Sequence, residues 1–153
     1  MRESRCETPG VTGDTVSFTI EQTMNASPSA IFHAWTEAFD TWFASPGAIR
    51  MSAVVGEPYW FEVIHDGNRH PHYGRFLALE RGRLIEQTWV TGRDGTEGAE
   101  TVVRIELDPT GPGTVLRLTH GGFASDESAH RHAGAWPQIL IHLDEVLTGS
   151  RRP

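Results

Sequence analysis

The chain has 153 residues, 38% of them hydrophobic, and a net charge of −7 from 20 acidic and 13 basic side chains, a length that suits one domain burying roughly 70% of its unfolded surface. The acidic balance argues against general nucleic-acid or anionic-membrane binding, both of which draw on basic surface, and no run approaches the ~18 apolar residues of a membrane span. Every basic residue is arginine, which excludes lysine Schiff-base chemistry, and the single cysteine, Cys6, allows no internal disulfide.

Residues 1–14 are polar, rich in Gly, Thr and charge, and read as a flexible lead-in without the apolar stretch of a signal peptide. A cytoplasmic location is the expectation, with one domain over residues 15–150. From Val16 the order begins: Val16, Phe18 and Ile20 alternate with Ser17, Thr19 and Glu21, the period of a half-buried strand. Ser27-Pro28 is a helix start, hydroxyl cap then proline. Ile31, Trp35, Phe39 and Trp42/Phe43 follow at helical spacing. Two short helices are predicted here, with Thr36 or Asp40 restarting the second and Ser45-Pro46-Gly47 ending it.

Residues 51–120 read as strands. Met51–Val55 is a short one; Tyr59–His65 and Arg69–Glu80 form a hairpin around the strong turn signal Asp66-Gly67-Asn68. Leu84–Thr91, Thr101–Leu107 and Thr114–His120 complete an antiparallel meander joined mostly by short loops. From about Ser125 to Gly149 the pattern is helical, with a stripe of Trp136, Ile139, Leu140, Leu143, Val146 and Leu147. Ser125 or Asp126 can cap this segment and Gly149 can stop it, while Pro137 predicts a kink near Gly134–Pro137 or a division into two helices.

Roughly six strands with one apolar face need a cover, and the last helix is the element long enough to supply it. The predicted fold is therefore α+β, a curved antiparallel sheet wrapped around a long C-terminal helix, with two short helices after the first strand. A wedge between sheet and helix is the natural cavity.

Several stretches together resemble a known family. They are Ser27–Trp35, Thr41–Pro46, Val55–Phe61, Gly74–Phe76 with Arg83–Trp89, Gly113–Phe123, and Ala135–Leu140. In this order they resemble the SRPBCC superfamily of START-like helix-grip proteins, and within it the branch of homologues of the activator of the heat-shock-protein ATPase. The sequence departs from that pattern at Phe43, where a second tryptophan is usual, and at Glu57 and Ala135, where glycine is usual. The resemblance implies the helix-grip fold from about Val16 to Leu147. It also implies a branch that mixes ligand binders, a few enzymes and other proteins, so function has to come from the site.

Trp42, Tyr59, Phe61, Phe76, Trp89 and Trp136 would line the wedge if strand parity holds, with Leu140 beside Trp136 on the helix stripe; such walls suit apolar or aromatic ligands. Gln87 shares parity with Ile85 and Trp89 and should point inward, where it needs a hydrogen-bond partner. His120 shares parity with Leu116 and Leu118 and would orient a ligand together with Gln87, and His132 shares a helix face with Trp136. These are the candidate catalytic residues, either moving protons at the cavity mouth or simply bonding backbone. His65, His70 and His72 flank the hairpin without a carboxylate or cysteine to complete a set, so an exposed, histidine-decorated hairpin is expected, with no metal and no cofactor.

Three functions remain in play. A small hydrophobic or aromatic molecule is bound in the cavity by a monomer or homodimer; or an enzyme of the cyclase, aromatase or hydrolase type uses that cavity; or the chain is a chaperone- or stress-related interaction module with an exposed apolar patch.

Overall fold

The computed structural model describes residues 16–93 and 95–149; Cys6 and the expected flexible lead-in lie outside them. The first strand, β1 (Val16–Met24), keeps the alternation of its sequence, with Ser17, Thr19, Glu21 and Thr23 exposed and the intervening side chains turned in. Helix α1 (Pro28–Thr36) starts as its residues dictate: the Ser27 hydroxyl accepts from the Ala30 N–H at 3.1 Å and proline takes the first turn. The expected second helix is only a 3-10 turn, Phe39–Thr41, with no side-chain cap. Neither anticipated cap is available to restart it. The Thr36 hydroxyl bonds back to the Phe32 carbonyl and the Asp40 carboxylate accepts from Gly47 N–H.

Six further strands follow: β2 (Ile49–Arg50), β3 (Pro58–His65), β4 (Asn68–Glu80), β5 (Leu84–Trp89), β6 (Thr101–Thr110) and β7 (Gly113–Phe123). With β1 they make one seven-stranded antiparallel sheet in the order β1-β7-β6-β5-β4-β3-β2. Met51–Val55, expected as a strand, is irregular; Val54 and Val55 are 52% and 54% exposed, so no burial rewards pairing there. The hairpin between β3 and β4 turns on Asp66 and Gly67, both at positive φ (52° and 78°), which matches the twist of the flanking strands and costs glycine nothing.

Helix α2 (Asp126–Thr148) is a single element, capped by the Ser125 hydroxyl and closed by Gly149 in the left-handed region. The division into two helices allowed for at Pro137 does not occur. Proline removes one backbone bond, while Trp136, Leu140 and Leu143, on both sides of it, are buried and keep the helix continuous across the gap. Further along, the Asp144 carboxylate accepts from the backbone N–H groups of Asn25 and Ala26 at 2.9–3.1 Å, clamping α2 to the start of α1.

Between sheet and helix sits an aromatic core. The α1 segment inserts Trp35, Phe39 and Trp42 there: Trp35 stacks on Trp136 at 5.9 Å between ring centres, and Phe39 meets Phe61 at 4.8 Å. Much of the wedge is thus filled by the chain's own rings.

Candidate functional site

Next to this aromatic core an open pocket of ≈ 740 Å³ remains, between the β3–β4 hairpin, the loop after β5 and the middle of α2. Its apolar wall is Phe43, Val63, Trp89, Trp136 and Ile139, and its polar rim carries His65, His70, His72 and His132 with Arg69 and Arg93. The loop wall is braced: Thr91 N–H donates to the Thr96 hydroxyl oxygen (2.8 Å) and Thr96 N–H to that of Thr91 (2.7 Å), while Ser128 of α2 donates to the Gly95 carbonyl at 2.6 Å. A Cβ at Gly95 would lie 1.8 Å from the Thr91 hydroxyl oxygen, so only glycine allows this fold-back.

Histidine enters the pocket through strand register. Because the turn occupies two residues, His65 pairs with Asn68 and Phe61 pairs with His72. Directly opposed residues share a face, and Phe61 is fully buried on the inner one. His72 must follow it inward, where its ring stacks on Phe61 at 4.5 Å and meets Trp89 edge-on at 5.2 Å. The expected exposed histidine hairpin is therefore corrected for His70 and His72, which are half-buried pocket residues; His65 stays exposed. Counting back from the Asp66-Gly67 turn would have revealed this in the sequence.

The Nδ1 of His72 lies 2.9 Å from the His70 carbonyl. Burial, reinforced by electrostatic repulsion from the neighbouring imidazoles of His132 and His70 and opposed by that carbonyl, pushes the His72 pKa down to about 4. On the facing helix the Nδ1 of His132 lies 2.8 Å from the Ser128 carbonyl. Burial is again the main cause of a lowered pKa, with Arg131 adding to it and the carbonyl opposing. No group of three or more His, Cys, Asp or Glu among the described residues is arranged to hold a metal ion.

His120 lies behind this wall. It is fully buried, and both ring nitrogens are engaged. Trp136 donates its indole N–H to Nδ1 at 3.1 Å, so the proton sits on Nε2, which donates to the Thr101 hydroxyl at 2.8 Å; that hydroxyl donates to the Trp89 carbonyl at 2.5 Å. Burial, helped by electrostatic repulsion from the neighbouring His132 imidazole, pushes the His120 pKa down to about 2. Both imidazole nitrogens are thus used within this Trp136–His120–Thr101 series, and His120 does not border the pocket. It ties helix to sheet.

Of the expected lining, Trp89 and Trp136 border the pocket, and His132 joins them; Trp42, Tyr59, Phe61, Phe76, Gln87 and Leu140 are packed in the core away from it. The Tyr59 hydroxyl donates to the Thr88 carbonyl, and burial pushes its pKa up, against the influence of nearby Gln87. Gln87 finds the partner that its inward parity demands, accepting the Trp35 indole N–H at 2.5 Å. Its amide nitrogen is without a hydrogen-bond partner among the described residues.

Residues 25–148 match the family model described as Activator of Hsp90 ATPase homolog 1-like protein. Among solved structures, a Chromobacterium violaceum protein superposes with a TM-score of 0.73 at 21% identity, over 86% of this chain and 96% of its own. A Mesorhizobium loti protein gives 0.70 at 23% identity, over 90% of this chain and 100% of its own. The solution structure of the Aha1 dimer from Colwellia psychrerythraea gives 0.62 at 22% identity, over 86% and 96%. At such identities the shared property is the helix-grip fold. No curated protein matches the sequence at a significant level.

Proposed function

Since the chain belongs to the Activator of Hsp90 ATPase homolog 1-like protein family, whose fold surrounds a helix with a curved sheet, we propose that it binds a small apolar or aromatic molecule between the two. The observation that carries this reading is the ≈ 740 Å³ pocket walled by Phe43, Val63, Trp89, Trp136 and Ile139, a size and lining usual for small-molecule sites. Burying a ligand's apolar surface against these rings supplies affinity at roughly 25 cal/mol per Å², and the histidine rim supplies orientation.

A domain that existed only to dock other proteins would keep a large apolar patch on its surface rather than a concave pocket between hairpin and helix. Enzymatic use of the pocket would draw on the histidines that line it, His132 and His72 among them, because the hydrogen bonds of His120 are all spent inside the core. No helix among the described residues is long and apolar enough to cross a membrane.

Native mass spectrometry of freshly purified protein, followed by a thermal-shift screen of aromatic and hydrophobic metabolites, tests the proposal. A co-purifying or stabilising aromatic compound that competes for one site is the expected result; a screen in which no such compound binds would sink it. The Colwellia relative is described as a dimer, and sedimentation velocity decides between monomer and homodimer for this chain.

A further inference from the structure

Two pocket histidines, one on the sheet and one on the helix, are held in the same way. A backbone carbonyl can only accept, so the 2.9 Å contact of His72 Nδ1 with the His70 carbonyl and the 2.8 Å contact of His132 Nδ1 with the Ser128 carbonyl each place a proton on Nδ1. A neutral imidazole with its proton on Nδ1 keeps a lone pair on Nε2. No protein group among the described residues bonds either Nε2, and both residues line the pocket. The setting keeps these rings neutral: His72 is stacked on Phe61 and edged by Trp89, and His132 packs against Phe123 and His120 at 4.9 and 5.0 Å. The pocket therefore carries two such acceptors, one on its sheet wall and one on its helix wall, beside Phe43, Val63, Trp89, Trp136 and Ile139 and with Arg69 and Arg93 at its rim.

From this geometry we infer that the ligand is a neutral aromatic bearing hydroxyl or ring N–H donors, oriented by hydrogen bonds to Nε2 of His72 and Nε2 of His132. The inference rests on the proposed ligand-binding function and narrows its ligand class. A ligand that offers only acceptors, such as an ether or ketone, would face two lone pairs without a partner; a buried polar group left unmatched in this way costs more affinity than a matched one gains. The carbonyl bonds also fix the ring planes, so the acceptors are set before the ligand arrives and little freedom is lost on binding.

The test compares 2-naphthol with 2-methoxynaphthalene, which keeps the rings and removes the donor. Calorimetric titration of the wild-type protein should show 2-naphthol binding about tenfold more tightly. That preference should collapse in the double variant His72→Phe/His132→Phe while 2-methoxynaphthalene retains its affinity. Equal affinities in the wild type, or an unchanged preference in the double variant, would overturn the donor inference and leave the binding function standing. Binding of neither probe would overturn both. An independent readout needs no substitution: long-range proton–nitrogen spectra of the histidine rings should show protonated Nδ1 and bare Nε2 at both residues, with the Nε2 resonances moving on addition of 2-naphthol. Protonated Nε2 at either residue would end the inference regardless of how the variants fold.

Discussion

Trp136 and His120 are joined by a 3.1 Å hydrogen bond that crosses from the long helix to the sheet. The indole forms part of the pocket wall while the imidazole, directly behind it, is closed to solvent and bonded on its other side to Thr101. Wall and core are thus mechanically one unit.

Replacing His120 with leucine keeps the volume but strands the Trp136 indole N–H in an apolar core. The expected cost is about 2–4 kcal/mol in urea unfolding, the range for orphaning a buried donor while altering the packing around it. Trp136→Phe should cost less than Trp136→Ala, since the ring contacts with Trp35 and Trp89 survive in part. A His120→Leu protein as stable as the wild type would remove the structural role assigned to this histidine.

Acid should weaken the fold through histidine. His72 and His120 have folded pKa values near 4 and 2, pushed down by burial, against an ordinary value near 6.5. The unfolded chain therefore binds more protons than the native one below that value, so the stability is fully present above pH ~6.5 and falls as the pH is lowered. Each of the two histidines should contribute a slope approaching about 1.4 kcal/mol per pH unit. The His72 contribution levels off near pH 4, while that of His120 continues below it. Denaturant titrations at pH 7, 6, 5 and 4 should show a steady decline, shallower in His72→Phe. Stability flat across this window would contradict the burial of both rings.

How much of this was legible in the chain follows from where the information lies. The β1 alternation, the Ser27-Pro28 cap, the Asp66-Gly67 turn and the α2 stripe are local signals, and each produced its element. The inward parity of Gln87 was equally local; its bond to Trp35, fifty-two residues away, was not. The occupancy of the wedge depends on how far Trp35, Phe39 and Trp42 reach between sheet and helix, a tertiary fact with no sequence period. This is why Trp42, Tyr59, Phe61 and Phe76, expected around a cavity, are packed in the core instead. The inward turn of His72 was available from register arithmetic, but an i, i+2 histidine pair beside a polar turn looks like solvent-facing decoration.

Asp144 concentrates two charge-assisted backbone bonds on the junction between β1 and α1. Asp144→Ala should destabilise by about 2–3 kcal/mol, because Asn25 and Ala26 N–H lose their acceptor together, and Asp144→Asn should recover part of it through its remaining oxygen. Thermal and urea unfolding of both variants measures the difference. Equal loss in the two would show that charge, rather than hydrogen bonding, holds the clamp.

Ala135 offers the cleanest separation of pocket from fold. It borders the pocket on the exposed side of α2, one residue before the wall tryptophan. A large side chain there grows into empty space instead of into the close-packed core, where overpacking would be costly. Ala135→Trp should therefore change the unfolding free energy by less than about 1 kcal/mol, while lowering affinity for an aromatic ligand by more than about tenfold, because the indole occupies volume that the ligand needs. Calorimetry with 2-naphthol, alongside urea unfolding of the same preparation, reads both quantities. Undiminished affinity in a stable Ala135→Trp protein would place the binding elsewhere on the molecule, whereas lost affinity at unchanged stability would locate it between the hairpin, the Thr91–Thr96 loop and α2.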